Sequence, residues 1–156
     1  MTEKILIAFD ESENAMRAVR YVARHFAPSQ AVTLMHVLQD TAALCDMQSP
    51  ELTPLFRAQQ ASFCELENQK QKLVSEALNQ ARDVLVEAGF EPNRVVLKLE
   101  KKKRGVARDL VAEAQNGYGL VVIGRRGAAG IKEFFLGSIT HKTLNLAGDL
   151  SILIVN

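Results

Sequence analysis

The chain has 156 residues, 19 of them basic and 18 acidic, for a formal net charge of +1. With 47% hydrophobic and 24% charged residues, it is a globular chain long enough to bury a core without help from metals or disulfides. The charge balance gives no electrostatic ground for a nucleic-acid partner, and no apolar run reaches the roughly 18 residues of a membrane-spanning helix.

Met1-Thr2-Glu3-Lys4-Ile5 runs straight into a strand-like segment with no apolar leader, so a cytoplasmic protein is expected. Lys4 to Asp10 carries a continuous apolar run, Ile5 to Phe9, before its final acid, as in a strand buried on both faces of a parallel sheet. Ser12 is placed to cap a helix carrying Ala15, Ala18, Val19, Val22 and Phe26 at helical spacing. Ala31 to Leu38 predicts a second strand, followed by a loop with Pro50 and Pro54. From Leu55 to Ala88 the apolar positions recur helically, Gly89 is a stop, and the polar stretch Glu67 to Lys72 predicts a break into two helices. Cys45 and Cys64 form no CxxC pair and have no histidine at metal-ligand spacing, so two free thiols in a reducing compartment are expected.

Arg94 to Glu100 alternates like a half-exposed strand near a sheet edge. A helix opens at Gly105, a short buried strand spans Gly119 to Gly124, and a glycine-rich loop leads to a last helix from Gly137 to about Ala147. Leu150 to Val155 closes the chain as a strand. The alternation predicts one α/β domain over residues 1–156, an open parallel five-stranded sheet with helices on both faces.

In such sheets ligands bind beyond the carboxyl ends of the strands. The segments to watch are therefore Asp10-Glu11-Ser12, Val37 to Asp40, Lys101 to Arg104 and the loop from Gly124. Gly124 and Gly127 permit a tight turn with close approach of backbone N–H groups to an anion. Gly137-Ser138 opens a helix, where free N–H groups and the helix dipole favour phosphate, and the Ser138 and Thr140 hydroxyls are further donors. The same glycines also suit an ordinary strand-to-helix loop with Ser138 as its N-cap. There is no G-x-x-x-x-G-K-[ST] phosphate loop, and the first strand leads into Asp10-Glu11-Ser12-Glu13-Asn14 rather than G-x-G-x-x-G.

On these residues the chain resembles the universal stress proteins over nearly its whole length. Asp10 stands where the family has an acid followed by Gly-Ser; Glu11 replaces that glycine and Ser12 keeps the serine. His36-Val37 is a common family pairing, and Leu120 to Gly127 looks like the family's fourth strand and loop. Gly124-x2-Gly127-x9-Gly137-Ser138 matches the motif of the ATP-binding branch without a gap. The resemblance implies a Rossmann-like sheet of strand order 3-2-1-4-5 and ATP as ligand, with or without Mg2+. Asp10 and Val37 would contact the adenine end, lined by Ala8 and Ile123. Gly124, Gly127, Gly137, Ser138, Ile139 and Thr140 would hold ribose and phosphates. Arg125 and Arg126, inside the loop, are expected to matter to ATP more than the run Lys101 to Arg104. A homodimer through Leu150 to Val155 is implied as well.

The function expected is nucleotide-dependent regulation in a stress response, with little intrinsic turnover and no residue assigned a catalytic role. The alternatives are a slow ATPase or phosphate- or adenylyl-transferring enzyme, and a nucleotide-free interaction module with a structural glycine loop. A phospho-receiver reading of Asp10-Glu11 wants an acceptor aspartate after the third strand, where the chain reads Leu99-Glu100-Lys101. His36 and His141 have no acid or nucleophile at a telling spacing and read as packing or hydrogen-bonding residues.

Overall fold

The computed structural model describes residues 3–38, 45, 54–126 and 136–156. Strands β1 (Lys4–Ala8), β2 (Val32–Leu38), β3 (Val95–Lys101), β4 (Tyr118–Gly124) and β5 (Ile152–Val155) form one sheet in the order β3-β2-β1-β4-β5. Every pairing is parallel. The helices are α1 (Glu13–His25), α2 (Pro54–Glu87), α3 (Val106–Ala114) and α4 (Ser138–Leu146).

The period-2 geometry of a strand explains the continuous apolar runs. In β1, Ile5 and Ile7 point into one core layer and Leu6 into the other; in β2, Leu34 and Met35 divide the same way. The first layer is closed by α1 and α2 through Val19, Val22, Leu78 and Leu85, all at 0–1% exposure. The second is closed by α3 through Leu110 and Ala114. Strand β3 lies at the sheet edge, and its Val96 and Leu99 remain exposed.

Local chemistry sets the helix ends. Ser12 caps α1, its hydroxyl accepting from the Ala15 N–H at 3.2 Å. At the far end of α2, Gly89 takes φ 103°, and the Phe90 N–H reaches back to the Leu85 carbonyl at 3.1 Å, a left-handed stop that only glycine adopts at low cost.

Two expectations are corrected. The polar stretch Glu67 to Lys72 does not break α2, which is continuous over 34 residues. Glu, Gln and Lys are good helix formers, and none of residues 54–73 is buried, so this half of the helix meets no packing demand for apolar periodicity. Nor are the cysteines free: Cys45 and Cys64 form a disulfide across 19 positions of sequence. The pairing is a tertiary contact between the segment after β2 and α2, with no signature in local spacing.

A polar network ties the second layer near the amino ends of the strands. Glu113 of α3 accepts from Lys98 Nζ at 2.8 Å and from the Tyr118 hydroxyl at 3.1 Å, and Tyr118 also reaches Thr33 at 3.0 Å. Burial alone would raise the Glu113 pKa, but the hydrogen bonds from Lys98 and Tyr118 outweigh it and hold the carboxyl below its ordinary 4.5. The hydrogen bond to Glu113 pushes Lys98 up from 10.5. A depressed carboxylate contributes stability above its unfolded pKa and loses it as pH falls through the folded one; a raised lysine loses its contribution only as pH climbs through its folded value. Glu113→Gln is therefore expected to cost about 1–2 kcal/mol at pH 7, reduced from the full charge-assisted figure because Lys98 is partly solvated. The gap from wild type should narrow as pH falls below 4.5, which denaturant titrations at pH 7 and pH 3.5 would read. A gap that does not change with pH would contradict this account of the network.

Candidate functional site

Strand order reverses beside β1. The chain moves from β1 to β2 on one side and from β4 to β5 on the other, with α1 on one face and α4 on the opposite one. The connections diverge here and leave a crevice over the carboxyl ends of β1, β2 and β4. A pocket of about 350 Å³ occupies it, a volume typical of small-molecule sites.

The floor comes from the strand ends, with Ala8, Met35, Val37 and Ile123 supplying an apolar surface. Beside them, the β1–α1 turn is closed by Asp10, whose carboxylate accepts from the Ser12 N–H at 2.8 Å. His36 Nδ1 lies 2.9 Å from the Phe9 carbonyl and donates to it, since that oxygen can only accept. His36 thus fixes the turn where β1 ends.

The opposite wall is the start of α4. Gly137 is its N-cap, with φ −58° and ψ 152°, and as a glycine it brings no side-chain cap of its own. The first-turn N–H groups of Ser138, Ile139 and Thr140 precede the first helical bond, from the His141 N–H to the Gly137 carbonyl at 2.9 Å. Two bonds hold this turn against β4. The Gly137 N–H donates to the Arg125 carbonyl at 2.9 Å, and the Thr140 hydroxyl donates to the Gly124 carbonyl at 2.9 Å. Arg126 and, from α2, Lys70 bring positive charge to the lining; Glu67, Gln71 and Val74 complete the α2 side.

The model of the universal stress protein family matches residues 1–155. The chain belongs to the universal stress protein family. Universal stress protein YxiE of Bacillus subtilis is 27% identical to it over 150 residues, 94% of this chain and 95% of that one. The structure of UspA from Lactobacillus plantarum superposes with TM-score 0.70 at 17% identity, covering 99% of this chain and 98% of the other. A universal stress protein in complex with cAMP superposes with TM-score 0.62 at 17% identity, over 100% and 98% of the two chains. At these identities the structural likenesses speak for the fold, which is the family's sheet of order 3-2-1-4-5 with helices.

In this universal stress protein the pocket gathers Ala8, Asp10, Val37, Ile123, Gly124, Arg126, Gly137, Ser138, Ile139 and Thr140 from both halves of the chain. Gly127 lies outside the described residues. Arg125 is not in the lining; its guanidinium donates to Oδ1 of Asn156, the residue after β5, at 3.3 Å. Thr140 is 2% exposed and its hydroxyl proton is committed to Gly124, so it anchors α4 rather than offering a free donor. Ile139 packs on the second core layer as a wall. The N-cap is Gly137, not Ser138, so Ser138 stands one position inside the helix.

The basic run Lys101 to Arg104 is not in the lining. Its backbone is held by the Leu38 carbonyl and by Asp109, whose carboxylate accepts from the Lys103 and Arg104 N–H groups at 2.8 and 3.1 Å. The sequence marks Glu67 to Lys72 only as a helix break, and Glu67, Lys70, Gln71 and Val74 of α2 are not among the expected site residues, because they sit some thirty positions from any motif. The one available signal was polarity on the helix face that later carries Leu78 and Leu85: Glu67 stands seven residues before Val74, two turns along that face.

Proposed function

We propose that this universal stress protein binds ATP in the pocket over β1, β2 and β4 and acts in the stress response as a nucleotide-dependent regulator rather than a rapid enzyme. The observation that carries the reading is the joining, in one cavity, of an apolar floor at Val37 and Ile123 to a helix start with no side-chain cap at Gly137. A flat base fits the first, and an anion fits the second, where backbone N–H groups and the helix dipole converge. That a relative of the same fold is described in complex with cAMP, an adenine nucleotide, supports the class of ligand. Asp10 stands beside the base and ribose end, and Arg126 beside the phosphates.

Among the described residues, no nucleophile is paired with a general base in the lining. His36 is engaged with a backbone carbonyl, and a bound nucleotide is therefore expected to persist. The test is mass spectrometry of the nucleotide carried by the purified protein, followed over hours with excess ATP. Bound ATP with conversion at or below a few turnovers per hour supports the reading. Steady multiple turnover would make the protein an ATPase, and the absence of any nucleotide after incubation would leave the loop structural.

We also propose that the chain dimerises through β5. This strand is the sheet edge beyond β4, and Ile152, Leu153 and Ile154 are only partly buried. An open edge with apolar side chains is a template for pairing with a second copy. Light scattering is expected to give a dimer for wild type at micromolar concentration and a monomer for Ile154→Lys. A monomeric wild type would contradict it.

A further inference from the structure

Helix α2 is longer than the core it packs on. Its buried residues, Val74, Leu78, Ala81 and Leu85, all lie in its second half. The first twenty residues, 54–73, extend about 30 Å before the first of them. Yet the residues that α2 gives to the pocket, Glu67, Lys70 and Gln71, belong to this extension. A helical stretch without a buried face is marginal by itself in water. On the amino side of Glu67 the disulfide from Cys64 to Cys45 ties this stretch covalently to the chain that leaves β2. Cys64 lies one turn before Glu67, and Cys45 lies in the segment that leaves β2 just after Val37 and Leu38 of the pocket floor. The disulfide and Val74 bracket the pocket-facing stretch of the helix.

We infer that Cys45 and Cys64 are a reversible thiol-oxidation site that sets the affinity of the pocket, the disulfide holding Glu67, Lys70 and Gln71 over its mouth and reduction releasing them. Both cysteines are partly exposed, within reach of small oxidants and reductants. The oxidant class is a hydroperoxide. One thiolate attacks hydrogen peroxide and becomes a sulfenic acid, expelling hydroxide that takes up the proton the thiol released and leaves as water. The second thiol then attacks the sulfenic sulfur, forming the S–S bond and releasing a second water. The peroxide takes up two electrons and the two thiols lose two. A low-molecular-weight thiol reverses the change by exchange and leaves as its own disulfide. The inference rests on the reading of the pocket as a nucleotide site, and binding and oxidation are then linked. If oxidation tightens ATP binding by some factor, saturating ATP must favour the disulfide by the same factor.

The experiment uses the full chain, oxidised with hydrogen peroxide or reduced with a dithiol, and titrates a fluorescent ATP analogue. The oxidised protein is expected to bind at least about fivefold more tightly. Cys64→Ser should match the reduced protein and ignore peroxide, and Cys45→Ser serves equally if the first variant fails to fold. In a glutathione buffer, saturating ATP should shift wild type toward the disulfide by the measured factor. Equal affinity in the two redox states overturns the inference. Hydrogen exchange of peptides from residues 54–73 separates this from a failure of the nucleotide reading. If neither state binds the analogue, faster exchange on reduction keeps the redox site and removes only ATP as its ligand, whereas equal exchange removes the redox site too.

Discussion

Replacing Gly137 with valine is expected to weaken ATP binding at least about 100-fold while leaving the fold intact. The backbone at Gly137 sits at φ −58° and ψ 152°, a region open to any residue, so valine brings no strain there. Its N–H and carbonyl bonds, to Arg125 and from His141, are both backbone and survive the change. Exchanging glycine for valine at an N-cap costs about 1 kcal/mol or less, equivalent to roughly 2–4 °C in a domain of this size. The phosphate end responds differently. A branched side chain at the mouth of the helix start holds an anion away from the first-turn N–H groups. Charge-assisted hydrogen bonds are worth about 1.5–3 kcal/mol each, and losing two of them gives the 100-fold or greater effect. Ser138→Ala removes one hydroxyl only and should cost about tenfold or less. Calorimetric titration of the three proteins, with thermal melts alongside, provides the check. Equal affinity for wild type and Gly137→Val would remove this loop from the binding site.

Gly124→Ala is expected to be the most damaging single-methyl change in the site, lowering stability by about 1–3 kcal/mol, near the usual cost of overpacking. A Cβ at this position would lie 2.9 Å from the Asn14 carbonyl oxygen and 3.0 Å from its carbon, both backbone atoms of α1. Neither side can easily yield. Gly124 is paired with Val155 in β5, the next residue donates to the Val155 carbonyl, and the Gly124 carbonyl holds the Thr140 hydroxyl. Moving it shifts α1, β5 and α4 together. The same displacement would widen the gap between the base end and the phosphate end, so nucleotide affinity should fall along with stability. Thermal melts of wild type and Gly124→Ala are the measurement, and an unchanged midpoint would show that the packing of α1 on β4 is looser than these distances imply.

The role of Gly124 also shows what the sequence could disclose and what it could not. Its place in a spaced glycine motif marked it as a loop residue for approach to an anion. The structure adds a second reason for glycine, the crossing of α1 over the end of β4, which is a contact between distant segments with no local pattern. The strand order is a similar case. Continuous apolar runs in β1 and β2 signalled burial on two faces, and the edge position of β3 was legible from its alternation. The order in which the five strands lie came from family resemblance, because periodicity carries no lateral information. The α2 wall of the pocket and the Cys45–Cys64 pairing were not legible for the same reason. Helix α2 read as two helices because pattern-based reading expects an apolar stripe wherever a helix continues, and no residue of 54–73 is buried. Thr140 looked like a phosphate donor by its position one turn into α4; only the 2.9 Å bond to Gly124 shows that its proton is already committed.

Backbone amide shifts recorded as ATP is titrated into isotopically labelled protein test the central claim most directly. A nucleotide seated as proposed touches both ends of the pocket at once. The amides of Val37 and Leu38 at the base end and those of Ser138, Ile139 and Thr140 at the phosphate end should therefore move together, along one binding curve, while Lys101 to Arg104 stay still beyond screened electrostatic reach. Shifts confined to the basic run, or none at all at millimolar ATP, would contradict it.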